Sequence, residues 1–212
     1  MPLKKLKIKS NALPKILKVD PTMTSTELIE KEVHEAFDLA TQMLGKAATL
    51  LESIIAKEKE SMILYCWRRQ HLILHYFGDY DLSVRQIKKV ERRIKRAYRR
   101  VSKQNMKIRI AYKPKYENAY AVNSGFMLSP RSFMLLPNWF KKDKQGKAGT
   151  IIHELFHDLF RDQKVEYFGR KVKVYSSAAA NKLAKQKPKK ARRSAENYEQ
   201  FCEALWREET IV

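Results

Sequence analysis

The sequence predicts an α+β fold, built as one mostly helical domain with a small antiparallel sheet. Three observations lead to this prediction. The chain has 212 residues, of which 44% are hydrophobic and 32% charged, and this apolar content is enough for one folded core. Apolar residues recur at helical spacing through the first half of the chain. From about Lys107 the pattern changes to an alternation of polar and apolar residues, which is typical of strands.

Residues 1–22 are predicted to form a basic, loosely held N-terminal tail, because Pro2 and Pro14 interrupt any helix there. The tail lacks the continuous apolar segment of a secretory signal peptide. No apolar run in the sequence approaches the ~20 residues that cross a bilayer. Two cysteines, Cys66 and Cys202, allow at most one disulfide. We therefore expect a protein that is made in a reducing cytoplasm and spans no membrane.

Residues 23–212 are predicted to form the domain, with a helical part at 23–105 and a part that holds the sheet and further helices at 106–212. The helical part has apolar stripes with helical spacing, and Thr24 to Thr26 can cap the first helix. The predicted helices cover about 27–57, 61–76 and 83–102. The second part contains three short segments with the residue types and alternation of strands. These strand candidates are 107–112, 119–122 and 133–136.

Positive charge is concentrated in two segments. The chain carries a formal net charge of +21, and residues 85–115 and 164–193 together contain 25 Lys and Arg against two acids. Such segments suggest nucleic-acid binding, but an apolar stripe in each is also typical of a helix that packs on a core and exposes a charged face. Aromatic residues do not alternate with the basic ones, and no known nucleic-acid-binding motif is present. We therefore do not expect a nucleic-acid partner, and an acidic protein or a phosphate-bearing surface remains an alternative.

One short motif indicates metal chemistry. His153-Glu154-Leu155-Phe156-His157 has the form H-E-x-x-H, and on a helix the two histidines project from the same face, one turn apart. This spacing suits two imidazole ligands of one Zn²⁺. Glu154 is placed to take a proton from zinc-bound water and to pass it to a leaving amine. Two satisfied histidines on an amphipathic helix are the alternative, but the apolar surroundings require partners for them, which a metal supplies.

A catalytic zinc needs a third protein ligand. His34, His71 and His75 lie upstream, where packing is their expected role. Among the downstream carboxylates, Asp158 is too close to His157 to reach the same ion. Asp162 and Glu166 follow His157 by five and nine residues, and both remain candidates from spacing alone.

Five segments in order give the sequence a family resemblance. The sequence resembles the aspzincins, the group of deuterolysin and the lysine-specific metallo-endopeptidases, and especially their bacterial toxin-like members. The H-E-x-x-H segment carries the most specific match, and the final segment is similar to the family's N-A-D-N-Y-x-x-F. The matching segments are 76–78, 119–122, 133–140, 149–157 and 195–201.

The resemblance implies a third zinc ligand and an oxyanion-stabilising phenol. The family has Asp in the pattern G-T-x-D-x-x-Y-G, nine residues after the second histidine. Glu166 stands at that distance here, although the Gly-Thr is absent and Gly169 comes one residue early. We predict Glu166 as the ligand, with Asp162 as the alternative, and Tyr167 as the catalytic phenol, with Tyr198 as its alternative. The resemblance also implies that Glu196 and Asn197 support the ligands.

The resemblance implies a zinc-dependent endopeptidase that acts on proteins or peptides. With so much positive charge, an acidic or neutral substrate is expected as readily as one with lysine. The toxin-like members imply a bacterial effector that a specialised system exports, with an acidic or immunity-type inhibitor as partner. Two alternatives remain open, namely a nucleic-acid-binding protein or nuclease, and an inactive metallopeptidase relative that acts as a binding module.

Overall fold

The computed structural model describes residues 5–79, 82–103, 106–123, 132–157, 159–160, 162–167 and 169–210. They fall into two compact units, one drawn from residues 1–41 and 99–158 and the other from 42–98 and 159–212. The mostly helical α+β class is as predicted. The helices are α1 (Leu13–Val19), α2 (Thr26–Ile55), α3 (Glu60–Arg69), α4 (His71–Phe77), α5 (Val84–Ser102), α6 (Lys144–His157), α7 (Ser177–Gln186), α8 (Pro188–Ala191) and α9 (Ala195–Thr210).

In the part of the chain that the structure describes, six strands accompany the helices. They are β1 (Lys5–Ile8), β2 (Lys107–Ile110), β3 (Ala121–Asn123), β4 (Ser132–Leu135), β5 (Lys164–Tyr167) and β6 (Arg170–Lys173). The three predicted strand segments correspond to β2, β3 and β4. No helix in the described part of the chain combines the length and the apolar character that crossing a bilayer requires.

The sheet of the first unit corrects one prediction, since it is mixed rather than antiparallel. Its strand order is β1-β2-β4-β3, and β2 runs parallel to both of its neighbours. Only the pairing of β3 with β4 in this sheet is antiparallel, whereas β5 and β6 form a separate antiparallel pair. The alternation of residues identifies a strand but carries no information about its direction relative to a distant partner.

The segment predicted as a loose tail has regular structure. Lys7 of β1 pairs with Arg109 of β2, and Ala12 and Ile16 are fully buried. Pro14 does not interrupt α1, because it lies in the first turn, where a missing N–H leaves no helical hydrogen bond unmade. The boundary predicted at residue 22 itself stays a prediction.

The second unit is organised around α4. The helix predicted over 61–76 is two helices, because Gln70 adopts an extended conformation, with φ −88° and ψ 99°, between α3 and α4. The ring of Phe77 lies 4.9 Å from that of Tyr198 and 5.1 Å from that of Phe201, which are both in α9. The side chain of Asn197 donates to the carbonyl groups of Tyr76 and Ala180. These contacts join α4, α7 and α9 into one core.

Helix α5 has the amphipathic form that its sequence predicts. Its apolar stripe of Val84, Ile87, Val90, Ile94 and Val101 is buried. The stripe accounts for the folding of this helix, and the Lys and Arg residues of its other face are exposed or partly exposed. Stability therefore comes from apolar burial, and the charged face is left available to solvent.

Candidate metal centre

Helix α6 carries the H-E-x-x-H motif and begins at a capped end. The Asp143 side chain accepts a hydrogen bond from the backbone N–H of Gly146 at 2.7 Å, which is the interaction of a helix N-cap. Every residue from Lys147 to Phe156 is buried. The apolar residues explain this burial, and the polar residues among them must therefore be paired with other polar groups.

A buried ion pair anchors α6 to α2. The Nζ atom of Lys147 lies 2.6 Å from Oε1 of Glu32, and both side chains are largely removed from solvent. The backbone carbonyl of Lys147 also accepts the indole N–H of Trp139. These contacts hold the first turns of α6, so that the histidines at its other end project from a fixed element.

The three residues of the motif lie together. Potential ligand atoms of His153, Glu154 and His157 are all within 4.8 Å of one another. The two imidazole rings have centroids 4.5 Å apart and planes inclined by 78°. His153 and Glu154 are 9% and 5% exposed, and His157 is half-buried. The centre therefore lies at the boundary between the buried part of α6 and its more accessible end.

This geometry fits zinc. Zinc–nitrogen bonds are about 2.0–2.1 Å long, so two ligands of one ion hold their nitrogens about 4 Å apart or less. The imidazoles of His153 and His157 can meet that requirement with small side-chain rotations. A buried carboxylate beside two imidazoles is also the donor chemistry of a zinc site rather than of a calcium or magnesium site, which takes oxygen ligands.

The predicted third ligand and phenol lie in β5. Glu166 is exposed and pairs in register with Lys171 of β6. Tyr167 ends the strand. Asp158, which also entered the sequence analysis, lies outside the described residues. The roles of Glu166 and Tyr167 stay predictions.

The alternative ligand, Asp162, takes part in a local cluster. Its Oδ2 accepts hydrogen bonds from Lys173 Nζ at 2.9 Å and from the Tyr175 hydroxyl at 2.7 Å. Burial raises the pKa of Tyr175 to about 12, and the hydrogen bond to Asp162 contributes in the same direction. The phenol therefore stays protonated at neutral pH and keeps donating to Asp162. These two hydrogen bonds join Asp162 to the β5–β6 region, and its role as the alternative ligand stays a prediction.

Helix α9 presents a row of buried acids, of which the sequence analysis had singled out only Glu196. Glu196, Glu199 and Glu203 share one face of the helix and are 5–6% exposed. Carboxylate oxygens of Glu196 and Glu199 lie within 4.8 Å of each other, whereas Glu203 forms an ion pair with Arg207 at 3.0 Å. The spacing of these acids by three and four residues, which places them on one helical face, was the available signal in the sequence.

Tyr198, the alternative phenol, lies in the core of the second unit. It is fully buried, and its hydroxyl donates to the carbonyl of Arg192 at 3.2 Å. Burial raises the pKa of Tyr198 to about 12, so the hydroxyl remains a donor at neutral pH. Its neighbour Asn197 uses both amide hydrogens on backbone carbonyls.

Comparisons with known proteins indicate the class to which the chain belongs. The chain resembles in fold a solved zinc peptidase from Grifola frondosa, with a TM-score of 0.62 and 17% identity, over 84% of this chain and 96% of that one. The fold and the H-E-x-x-H helix define a zinc metallopeptidase. The sequence model of the lysine-specific metallo-endopeptidases matches residues 68–203. This is more than half of the chain, which therefore belongs to the aspzincin family of that description. Among curated proteins, none matches the sequence.

Proposed function

We propose that the protein is an endopeptidase in which Glu154 is the general base. The observation that carries this proposal is the grouping of Glu154 with His153 and His157 on the buried part of α6. Zinc, when bound by the two histidines, would polarise the scissile carbonyl and lower the pKa of water. The Glu154 carboxylate would accept a proton from the attacking water and then deliver it to the amide nitrogen that leaves.

We further propose Glu166 as the third ligand and Tyr167 as the phenol that donates to the developing oxyanion. Glu166 is supported by its distance of nine residues from His157 and by the exposure of its carboxylate. Asp162 is the weaker candidate, because Lys173 and Tyr175 already bind its Oδ2. A carboxylate is a suitable third partner of two imidazoles.

The family description supports a preference for lysine at the cleaved bond. Glu196 and Glu199 lie inside the matched range and bring two carboxylates together in a buried setting. Two neighbouring carboxylates repel each other when both are ionised, and an added cation relieves that repulsion. We propose that this pair binds the ammonium group of a substrate lysine. The sequence analysis gave no such preference, because it did not bring Glu199 together with Glu196.

Mapping of cleavage sites tests the activity. The protein should digest casein to internal peptides, and mass spectrometry of the new termini should show lysine beside the cut bonds. Glu154→Gln keeps the shape of the side chain and should reduce hydrolysis at least ~100-fold. Removal of single terminal residues only would contradict endopeptidase action.

A pair of peptides, with lysine or leucine at the cleaved bond, tests the specificity. Glu196→Gln and Glu199→Gln should each lower kcat/KM for the lysine peptide by about 10- to 100-fold, the effect of losing a hydrogen bond to a charged group. The leucine peptide should be affected much less. Glu203→Gln is the matched control, because Glu203 is equally buried on the same face of α9 but lies outside the pair, and it should leave the ratio unchanged.

The resemblance to toxin-like members supports a biological role as an exported bacterial effector, with an inhibitor protein in the producing cell. Expression of the peptidase in a bacterial cytoplasm would then slow growth, and Glu154→Gln would abolish that effect. Equal growth with both proteins would contradict the effector role while leaving the peptidase intact.

A further inference from the structure

The two basic segments of the sequence meet in the second unit of the fold. The guanidinium of Arg192, which follows α8, donates to the Gln86 side chain of α5 at 3.1 Å and to the Phe77 carbonyl at 3.0 Å. In return Arg93 of α5 donates to the Arg192 carbonyl at 2.6 Å. These hydrogen bonds join residues about 100 positions apart, and they bring two strongly basic helices side by side.

The residues next to this junction form one basic surface. Lys89 and Arg96 follow Gln86 and Arg93 by three residues each, so they lie beside them on α5. Lys190 and Arg193 flank Arg192 on the other segment. All four are exposed. We call these four residues, with the exposed Arg85 and Arg92 of α5, the α5–α8 basic surface.

Little negative charge is available to neutralise this surface. The one acid of α5 is Glu91, which is 8% exposed and binds Lys95 at 2.6 Å, and Lys95 also binds Glu52. Among the residues the structure describes, the six cations of the surface have no carboxylate partner within 4.0 Å. Like charges held close together repel, so such a surface favours a polyanionic partner.

The composition of the surface indicates which polyanion. Protein interfaces have an apolar centre from which charged residues are depleted, whereas every exposed residue of α5 up to Ala97 and of α8 is a lysine or an arginine. The apolar face of α5 is buried in the core, so it cannot insert into a bilayer as membrane-surface helices do. Single strands need aromatic platforms, and Tyr98, the partly exposed aromatic of α5, packs over Gly45 instead.

We propose that the α5–α8 basic surface binds the phosphate backbone of a nucleic-acid duplex without sequence preference. Four of the six cations are arginines, whose planar guanidinium groups bind phosphate in a bidentate manner. The four cations that α5 contributes to this surface are three or four residues apart, and one cation per turn of about 5.4 Å can follow a row of phosphates. Binding would concentrate the peptidase on proteins that share the same duplex. The sequence alone did not favour this partner, because it does not show that the two basic segments adjoin.

Fluorescence anisotropy with a labelled 20-base-pair duplex of arbitrary sequence tests the proposal. The combined variant Lys89→Gln, Arg96→Gln, Lys190→Gln and Arg193→Gln should bind at least ~10-fold more weakly at low salt. The slope of log K against the logarithm of the salt concentration should become shallower by about three to four, because up to four phosphate contacts are lost. Two unrelated duplexes should bind with equal affinity.

The control variant removes the same number of charges elsewhere. Lys9, Lys57, Lys59 and Arg68 are exposed and lie outside the surface, so their replacement by Gln matches the change in net charge. Equal loss of binding in both variants would overturn the proposal, since binding would follow net charge alone. Tighter binding of phosphatidylserine vesicles or polyglutamate than of the duplex would overturn it as well. Casein hydrolysis should be unchanged in both variants, so a failure here is distinguishable from a failure of the peptidase assignment.

Discussion

Lys147 on α6 and Glu32 on α2 form an ion pair with a 2.6 Å separation between Nζ and Oε1. Lys147 is 6% exposed, and its stem lies near the Trp139 ring, with Nζ 5.7 Å from the ring centroid. Lys147 stands seven residues before Glu154. The ion pair therefore fixes the helix that carries the H-E-x-x-H motif without belonging to that motif.

Removal of one member of this pair should destabilise the protein. Lys147→Met leaves the Glu32 carboxylate without its cation in a poorly solvated position, and the free energy of unfolding should fall by about 3–5 kcal/mol. Urea denaturation of purified protein measures this change. The double variant Lys147→Met with Glu32→Leu should recover most of the loss, because no buried charge is left over. Additive losses in the double variant would show that the two residues act independently.

Gly78 should be intolerant of a side chain. Its backbone has φ 64° and ψ 177°, a region that is essentially restricted to glycine. A Cβ atom there would lie 2.7 Å from the Ala184 carbonyl oxygen and 2.8 Å from Cβ of Pro188. Gly78→Ala should therefore cost more than the ~1–3 kcal/mol of backbone strain alone.

Gly169 offers a matched control for this prediction. It also has a positive φ, of 76°, but a Cβ atom there would meet no atom within 4 Å. Gly169→Ala should cost only the backbone strain, and thermal denaturation of the two variants compares them directly. A larger loss of stability for Gly169→Ala than for Gly78→Ala would contradict the packing of Gly78 against α7 and α8.

The choice between two carboxylates can be decided by metal content. Glu166→Ala should reduce bound zinc, because it removes the proposed third ligand. Asp162→Ala should retain zinc and lower stability instead, because Asp162 binds Lys173 and Tyr175. Zinc loss in Asp162→Ala with full zinc in Glu166→Ala would reverse the assignment and leave the metallopeptidase class unaffected.

Local patterns predicted the elements of the fold better than their partners. His153 and His157 could be placed on one helical face, because the period of a helix alone determines that relation. The pairing of Lys7 with Arg109 could not be predicted, since it joins residues about 100 positions apart through a short strand. Gln70 likewise gave no local signal of a break, and the contacts of α4 with α7 and α9 override the continuous helical pattern there.

In the candidate site, too, local patterns could be predicted and long-range contacts could not. The motif on α6 was evident from its sequence, whereas the association of Glu196 with Glu199 required the burial of one face of α9. The contact of Arg192 with Gln86 required the tertiary structure as well. Charged residues look alike in sequence, and only burial and neighbours separate those that support the fold from those that face solvent.

Zinc stoichiometry of the purified protein tests the central claim most directly. Inductively coupled plasma mass spectrometry after zinc supplementation and removal of loose metal should give about one zinc per chain. The His157→Ala variant should bind much less, while Glu154→Gln should keep the zinc and lose hydrolysis. Absence of zinc from the unmutated protein, or full zinc in folded His157→Ala, would contradict the assignment of the α6 histidines as the metal centre.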